Sequence, residues 1–155
     1  MDQARCLRAT DEEELAAVLS LIQESFAYME GRIDPPSSML KLTLETLRQQ
    51  CRTGEIWVIG APPQACVFLS PHQDHLYLGK LAVAEAYRGK GLARQLLDLT
   101  LHRAAETGKQ HVELQSRIEL TENHRAFAAM GFHEIERTAH AGYDRPTSIT
   151  MRRFL

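Results

Sequence analysis

One passage in the middle of the chain constrains the fold more than any other. Residues 76–83 are largely apolar and read as a strand. They lead through a short connector into Arg88-Gly89-Lys90-Gly91-Leu92-Ala93, and an amphipathic helix follows to about residue 106. Two glycines and two cations therefore stand where a strand hands over to a helix. The first N–H groups of a helix lack intrahelical acceptors, and the helix dipole adds partial positive charge there. Gly89 and Gly91 can take positive φ and present no Cβ, so backbone N–H groups can converge on an anion. Arg88 and Lys90 add full charges. The passage predicts a phosphate-bearing ligand held mainly by backbone.

Two familiar phosphate turns do not fit. A P-loop needs Gly-Lys followed by Ser or Thr, but Gly79-Lys80 precedes Leu81 and Gly89-Lys90 precedes Gly91. A dinucleotide-binding turn counted from Gly89 and Gly91 needs Gly or Ala where Arg94 stands. A bare basic glycine turn that only joins strand to helix is the alternative. The segments on either side argue against it.

Leu81-Ala82-Val83, then Tyr87 to Ala93, then Leu96-Leu97, resembles the acetyl-CoA motif of the GNAT N-acetyltransferase superfamily. Its core pattern, Gln or Arg, two residues, Gly, one residue, Gly or Ala, is met by Arg88, Gly91 and Ala93. The resemblance covers roughly residues 76–132, and the first half only by element order. It implies that acetyl-CoA is the cosubstrate. Its pyrophosphate would rest on Arg88, Gly89, Lys90, Gly91, Leu92 and Ala93, and its pantetheine arm would pair with Leu81, Ala82 and Val83. It also implies a mixed α/β (α+β) domain with a mostly antiparallel central sheet and helices on both faces.

Composition adds limits. The 155 residues suit one domain, which at that size buries about 70% of its unfolded surface. Cys6, Cys51 and Cys66 are scattered with no CxxC pair, which predicts a reduced, cytoplasmic protein. The charged N-terminal stretch shows no apolar signal region, and no apolar run reaches the ~20 residues of a membrane span. Against 18 basic residues stand 20 acidic ones, a net charge of −2. That balance predicts no nucleic-acid partner, which would need a basic surface.

The remaining elements follow from periodicity and punctuation. Residues 5–9 read as a short strand, with Thr10 or Asp11 capping a helix whose inner face carries Leu15, Val18, Leu19 and Ile22. Pro35 and Pro36 exclude helix from residues 31–38. A second helix is predicted over about residues 39–51, with Leu40, Leu44 and Leu47 inward and Gly54 closing it. Strands are expected at 56–59, 65–69 and 111–115. Thr121 is the expected cap of a short helix ending at Met130, and Phe132 opens another strand.

Asn123, Phe127, Gly131 and Phe132 resemble the second GNAT motif. By that resemblance Asn123 bonds the pantetheine arm and Phe127 lies beside the thioester sulfur. Many family members carry Tyr at this second position, where its hydroxyl protonates the departing thiolate. Phe127 has no proton to give. Either another group serves, with Tyr143 a candidate, or a thiol of pKa about 8.5 leaves unaided.

An amine of pKa about 10 must lose a proton before it attacks. Glu113, where some members carry their base, is the expected acceptor of that proton. His72 and His75 follow Pro71, lack a third ligand nearby in sequence, and read as surface histidines, so no metal is expected. The acceptor pocket is expected between residues 26–38 and 140–146, with Tyr28, Glu30, Arg32, Tyr77 and His140 binding the substrate. Glu30 and Asp34 would favour a cationic acceptor if they face it. The expected partner is a small-molecule or peptide amine, and the family resemblance leaves room for a homodimer. The expected reaction is acetyl transfer to a primary amine by direct attack in a ternary complex. A weakly active or inactive CoA-binding regulator on the same fold is the alternative that Phe127 raises.

Overall fold

The computed structural model describes residues 3–37 and 41–155. Seven strands form one sheet: β1 (Arg5–Cys6), β2 (Glu55–Ile59), β3 (Ala65–Pro71), β4 (His75–Val83), β5 (His111–Arg117), β6 (His133–Thr138) and β7 (Ser148–Phe154). Four helices accompany them: α1 (Glu12–Ser25), α2 (Leu44–Thr53), α3 (Leu92–Glu106) and α4 (Thr121–Ala129). The sheet order is β1-β2-β3-β4-β5-β7-β6, and β4 with β5 is the parallel pair among antiparallel neighbours.

Alternation along the strands makes two cores. Val67, Leu69, Val112, Leu114 and Met151 face α3, where Leu96, Leu97 and Ala104 are almost fully buried. Ile56, Val58, Cys66 and Phe68 face α1 and α2, where Leu15, Val18, Ile22 and Leu47 are fully buried. Each of the larger aliphatic, methionine and phenylalanine side chains contributes roughly 1.5–3 kcal/mol by leaving water. The helices thus cover both faces, as the sequence predicts.

Several boundaries differ from expectation. α2 starts at Leu44, because Thr43 caps it in a reciprocal pair with Thr46, each side chain meeting the other's backbone N–H. Met39 and Leu40 lie outside the described residues. Thr121 is the first helical residue of α4 and Leu120 stands at the cap, without a side-chain bond. Asp11 precedes α1, but its carboxylate accepts the Arg8 N–H at 2.7 Å instead of capping the helix. Helical spacing turns Ala93 inward with Leu96, Leu97, Thr100 and Ala104, but Ala93 is only half-buried and Leu92 takes the inward place.

One irregularity positions everything that follows. Phe68 pairs with Lys80 but Leu69 pairs with Leu78, so Gly79 bulges out of the ladder. The slip changes which side chains face which core. Leu76 and Leu78 point to the α3 side before the bulge; Leu81 and Val83 do so after it.

Candidate active site

β4 and β5 pair over three positions only: His75 with His111, Leu76 with Val112, Tyr77 with Glu113. Beyond Tyr77 the strands part. β4 continues against β3, and β5 continues against β7 as far as Arg117. Their facing edges border a cleft of about 700 Å³. Leu81, Ala82 and Val83 line one wall, Gln115 and Ser116 the other, and Asn123 and Phe127 of α4 close one side. A strand edge carries unpaired N–H and C=O groups, which an extended amide-bearing chain can pair.

The glycine turn stands at the end of that edge. Gly89 has φ 79° and Gly91 φ 80°, both left-handed. Open space surrounds the position of a Cβ at either, so the requirement is conformational and not one of room. The first N–H to find a helical acceptor is that of Gln95, which donates to Gly91 O at 3.0 Å. The N–H groups of the preceding turn are left for an anion. Arg88 reaches back over the edge, its Nε donating to Val83 O at 3.4 Å. Lys90 lies over the Tyr87 ring at 5.5 Å. Leu92 is buried and offers the turn only backbone.

Charge in the cleft is one-sided. Lys80, Arg88 and Arg117 line it, and among the described residues no aspartate or glutamate does. Burial lowers the Lys80 pKa from its ordinary value. Arg117 donates to Pro35 O at 2.7 Å and Pro36 O at 3.1 Å, tying the segment after α1 to the cleft. Tyr77 also lines the cleft; burial, then the Glu113 carboxylate, raises its pKa and keeps the phenol protonated. His140 lines it too, with Nδ1 2.5 Å from Thr147 Oγ1. Tyr28 crosses the opening and accepts a hydrogen bond from Asn123 Nδ2 at 3.3 Å.

An unpaired strand edge, a left-handed glycine turn at a helix N-terminus and an Asn–Phe helix opposite make up this site. A model of the acetyltransferase (GNAT) family matches residues 17–132. The chain belongs to the GNAT acetyltransferase family.

Solved structures agree on the fold. PaiA N-acetyltransferase from Thermoplasma acidophilum, in complex with coenzyme A, superposes with a TM-score of 0.80 at 14% identity, over 100% of this chain and 99% of that one. The ribosomal-protein-S18-alanine N-acetyltransferase of Escherichia coli gives 0.73 at 19%, over 99% and 94%. The NatC complex bound to Gag peptide and CoA gives 0.70 at 22%, over 100% and 99%. No curated protein matches the chain in sequence.

Within this GNAT frame the expected cofactor residues converge. Leu81, Ala82, Val83, Arg88, Ala93, Asn123 and Phe127 share the cleft, and Gly89, Lys90 and Gly91 form the turn at its rim. The expected catalytic pair does not. Glu113 accepts two bonds from Arg152, at 2.8 and 3.3 Å, and does not line the cleft. Its register partner Tyr77 stands at the last paired position, so Glu113 lies where the strands are still joined. Tyr143 donates its hydroxyl to Asp34 at 2.6 Å, and Arg145 binds the same carboxylate at 2.9 Å, all outside the cleft lining. Asp34 is thereby neutralised and supplies no free charge for a cationic acceptor.

The acceptor residues divide. Tyr28, Tyr77 and His140 line the cleft. Arg32 pairs with Glu122 at 2.7 Å and lies over the Tyr28 ring, buttressing that ring from behind. Glu30 borders a separate recess of about 330 Å³ walled by Phe26, Met29, Ile33 and Pro36. Phe26, Met29 and Ile33 also line the cleft, so the two spaces adjoin. Sequence reasoning missed this apolar recess, and it missed Lys80, Ser116 and Arg117. Ser116 and Arg117 continue β5 past its expected end at Gln115, and the alternation carries on with a buried serine in place of an apolar residue.

Proposed function

We propose that the chain transfers an acetyl group from acetyl-CoA to a primary amine by direct attack within a ternary complex. The parting of β4 from β5 at the Gly79 bulge, beside the Gly89–Gly91 turn, carries this reading. The turn N–H groups and Arg88 would hold the pyrophosphate. The free edge of Leu81 to Val83 would pair with the pantetheine amides, and Asn123 would bond them from α4. The thioester would then lie between Phe127 and the start of the gap, where a strand N–H can meet the developing oxyanion.

Proton handling follows from what lines the cleft. His140, fixed through Nδ1 by Thr147, is our candidate to accept the amine proton, since imidazole is the side chain suited to that exchange near neutrality. Tyr28 replaces the phenol that Phe127 lacks. Its hydroxyl touches Asn123, and Phe127 lies one turn further along the same face of α4. The recess of Phe26, Met29 and Ile33 would receive an apolar group next to the amine, on a small molecule or a peptide. The neighbour complex with a Gag peptide makes a peptide N-terminus a fitting first probe.

The test is release of free thiol from acetyl-CoA with a panel of amines and short peptides, with products confirmed by mass. Amine-dependent release with one acetyl added to the acceptor is expected. The absence of a carboxylate among the described residues of the cleft favours a second reading, a CoA-binding regulator. Tight CoA binding with no transfer to any amine would select it.

A further inference from the structure

At the opposite end of the β4–β5 pairing lies a second cluster of side chains. The turn into β4 is closed by His72 N–H to His75 O at 2.9 Å. It is tied to the start of β5 by Gln110 N–H to Asp74 O at 2.8 Å and by Lys109 Nζ to His72 O at 2.5 Å. These bonds put His75 beside His111, the first register pair of the two strands. The expectation that His75 is a surface histidine therefore fails: its ring stacks on His111, with centroids 5.0 Å apart, and on His72 at 4.6 Å. The third ligand missing from the local sequence arrives from the neighbouring strand.

His111 is the telling residue. It is 2% exposed, held between His75 and the ring of Phe154, and neither ring nitrogen has a hydrogen-bond partner. A buried imidazole with both nitrogens unsatisfied is costly, by about 1–3 kcal/mol per group. Asp74, His75 and His111 each offer a ligand atom, and the three atoms lie within 4.8 Å of one another.

We propose that Asp74, His75 and His111 bind one divalent transition-metal ion, which staples β4 to β5 below the cleft. Two imidazoles and a carboxylate are the donor set of open three-ligand zinc sites, with water completing the shell. A tetrahedral ion with bonds of about 2.0–2.1 Å wants donors about 3.3 Å apart. Asp74 and His75 already meet, Oδ1 to Nδ1 at 2.7 Å, and no two of the three ligand atoms are more than 4.8 Å apart, so a shift of about an ångström per side chain reaches that spacing. The nearby cation Arg152 is matched by Glu113 at 2.8 Å. Glu113 in turn approaches His75 Nε2 at 3.5 Å and His111 Nε2 at 3.7 Å, so it can orient the rings from behind.

The experiment uses the full chain stripped with chelator, and zinc as the probe. Calorimetry should give one zinc per chain. At a hundredfold excess over Kd, zinc should raise the Tm by about 5–10 °C. Cobalt should give the visible absorption of a nitrogen–oxygen site without a thiolate band. Asp74→Asn with His75→Gln, a double change that avoids the buried His111, should abolish the zinc shift and the cobalt spectrum while the chain still folds and binds CoA. No shift with wild-type protein at millimolar zinc, an unchanged shift in the double variant, or a cobalt–thiolate band would each overturn the proposal.

Discussion

Gly91→Ala separates the conformational demand of the turn from everything else the glycine does. Gly91 has φ 80° and ψ 11°, and an added Cβ would meet nothing within 4 Å. The substitution therefore costs the left-handed penalty alone, roughly 1–2 kcal/mol. Gly108, just past α3, supplies the control: its φ is 72°, its Cβ position is equally open, and it does not line the cleft. In Gly108→Ala the penalty falls on folding, and the Tm should drop by about 2–8 °C. The Gly91 turn is exposed, with N–H groups that no helix bond restrains, so an alanine there can relax in the free protein. The penalty then falls on binding, because only the left-handed form aims those groups at a phosphate. CoA should bind about 5- to 30-fold more weakly to Gly91→Ala, and with wild-type affinity to Gly108→Ala. Calorimetry measures both, and scanning fluorimetry measures the Tm of each. Wild-type CoA affinity in Gly91→Ala would refute the claim that this turn cradles the pyrophosphate.

Three further outcomes follow from single sites. Burial pushes the Cys66 thiol up to about 12, so under native conditions at pH 8 a thiol reagent should leave Cys66 unmodified while labelling the exposed Cys6, as peptide mapping can show. Although burial opposes it, bonding from Arg103 and Trp57 holds the Glu55 carboxyl below the ordinary range. That stabilisation is present above the unfolded pKa of about 4.3 and disappears as pH falls through the lower folded value. Glu55→Gln should therefore flatten the acid limb of Tm against pH below about pH 4.5. Tyr28→Phe should lower kcat by about 10²- to 10⁴-fold with CoA affinity nearly unchanged, and an unaltered kcat would remove Tyr28 as the proton donor.

The part of the site that binds cofactor was legible because backbone makes it. Positive φ at two glycines, a helix start and a neighbouring strand edge are all written locally, between Leu76 and Ala93. The fold was legible for a similar reason: apolar runs bounded by turn residues gave β2 and β3, alternation gave β5, and 3.6-residue spacing gave α1 and α3. What escaped depends on partners far apart in sequence. Glu113 reads as a free carboxylate until Arg152 is brought beside it by the β5–β7 register. Tyr143 reads as a pocket phenol until Asp34, more than a hundred residues earlier, takes its proton donor. His75 lacks a third ligand until parallel pairing delivers His111. The Gly79 bulge, which opens the cleft, shows in the sequence only as a change of phase, from Leu76 and Leu78 to Leu81 and Val83, around one glycine.

The charge in the cleft makes a prediction about the acceptor. With Lys80, Arg88 and Arg117 lining it and no carboxylate among its described residues, the cleft suits the phosphates of CoA and disfavours an ammonium ion. An acceptor must therefore enter largely as the free amine, so the neutral fraction in solution enters kcat/KM directly. At pH 7.5 about a third of an α-amine of pKa about 7.8 is neutral, against about 0.1% of a lysine-like amine of pKa about 10.4. The lower intrinsic nucleophilicity of the weaker base offsets only part of this roughly 250-fold advantage. Peptide N-termini should thus exceed lysine side chains of the same peptides by at least tenfold in kcat/KM at pH 7.5, and the gap should narrow as pH rises toward 10. An apolar first residue should widen it by filling the recess of Phe26, Met29 and Ile33. The assay is thiol release with matched peptides, one blocked at the N-terminus and one lacking lysine. Equal or faster acetylation of the lysine peptide at pH 7.5 would mean that the cleft accepts the cation and discharges it within, and the argument from the missing carboxylate would fall.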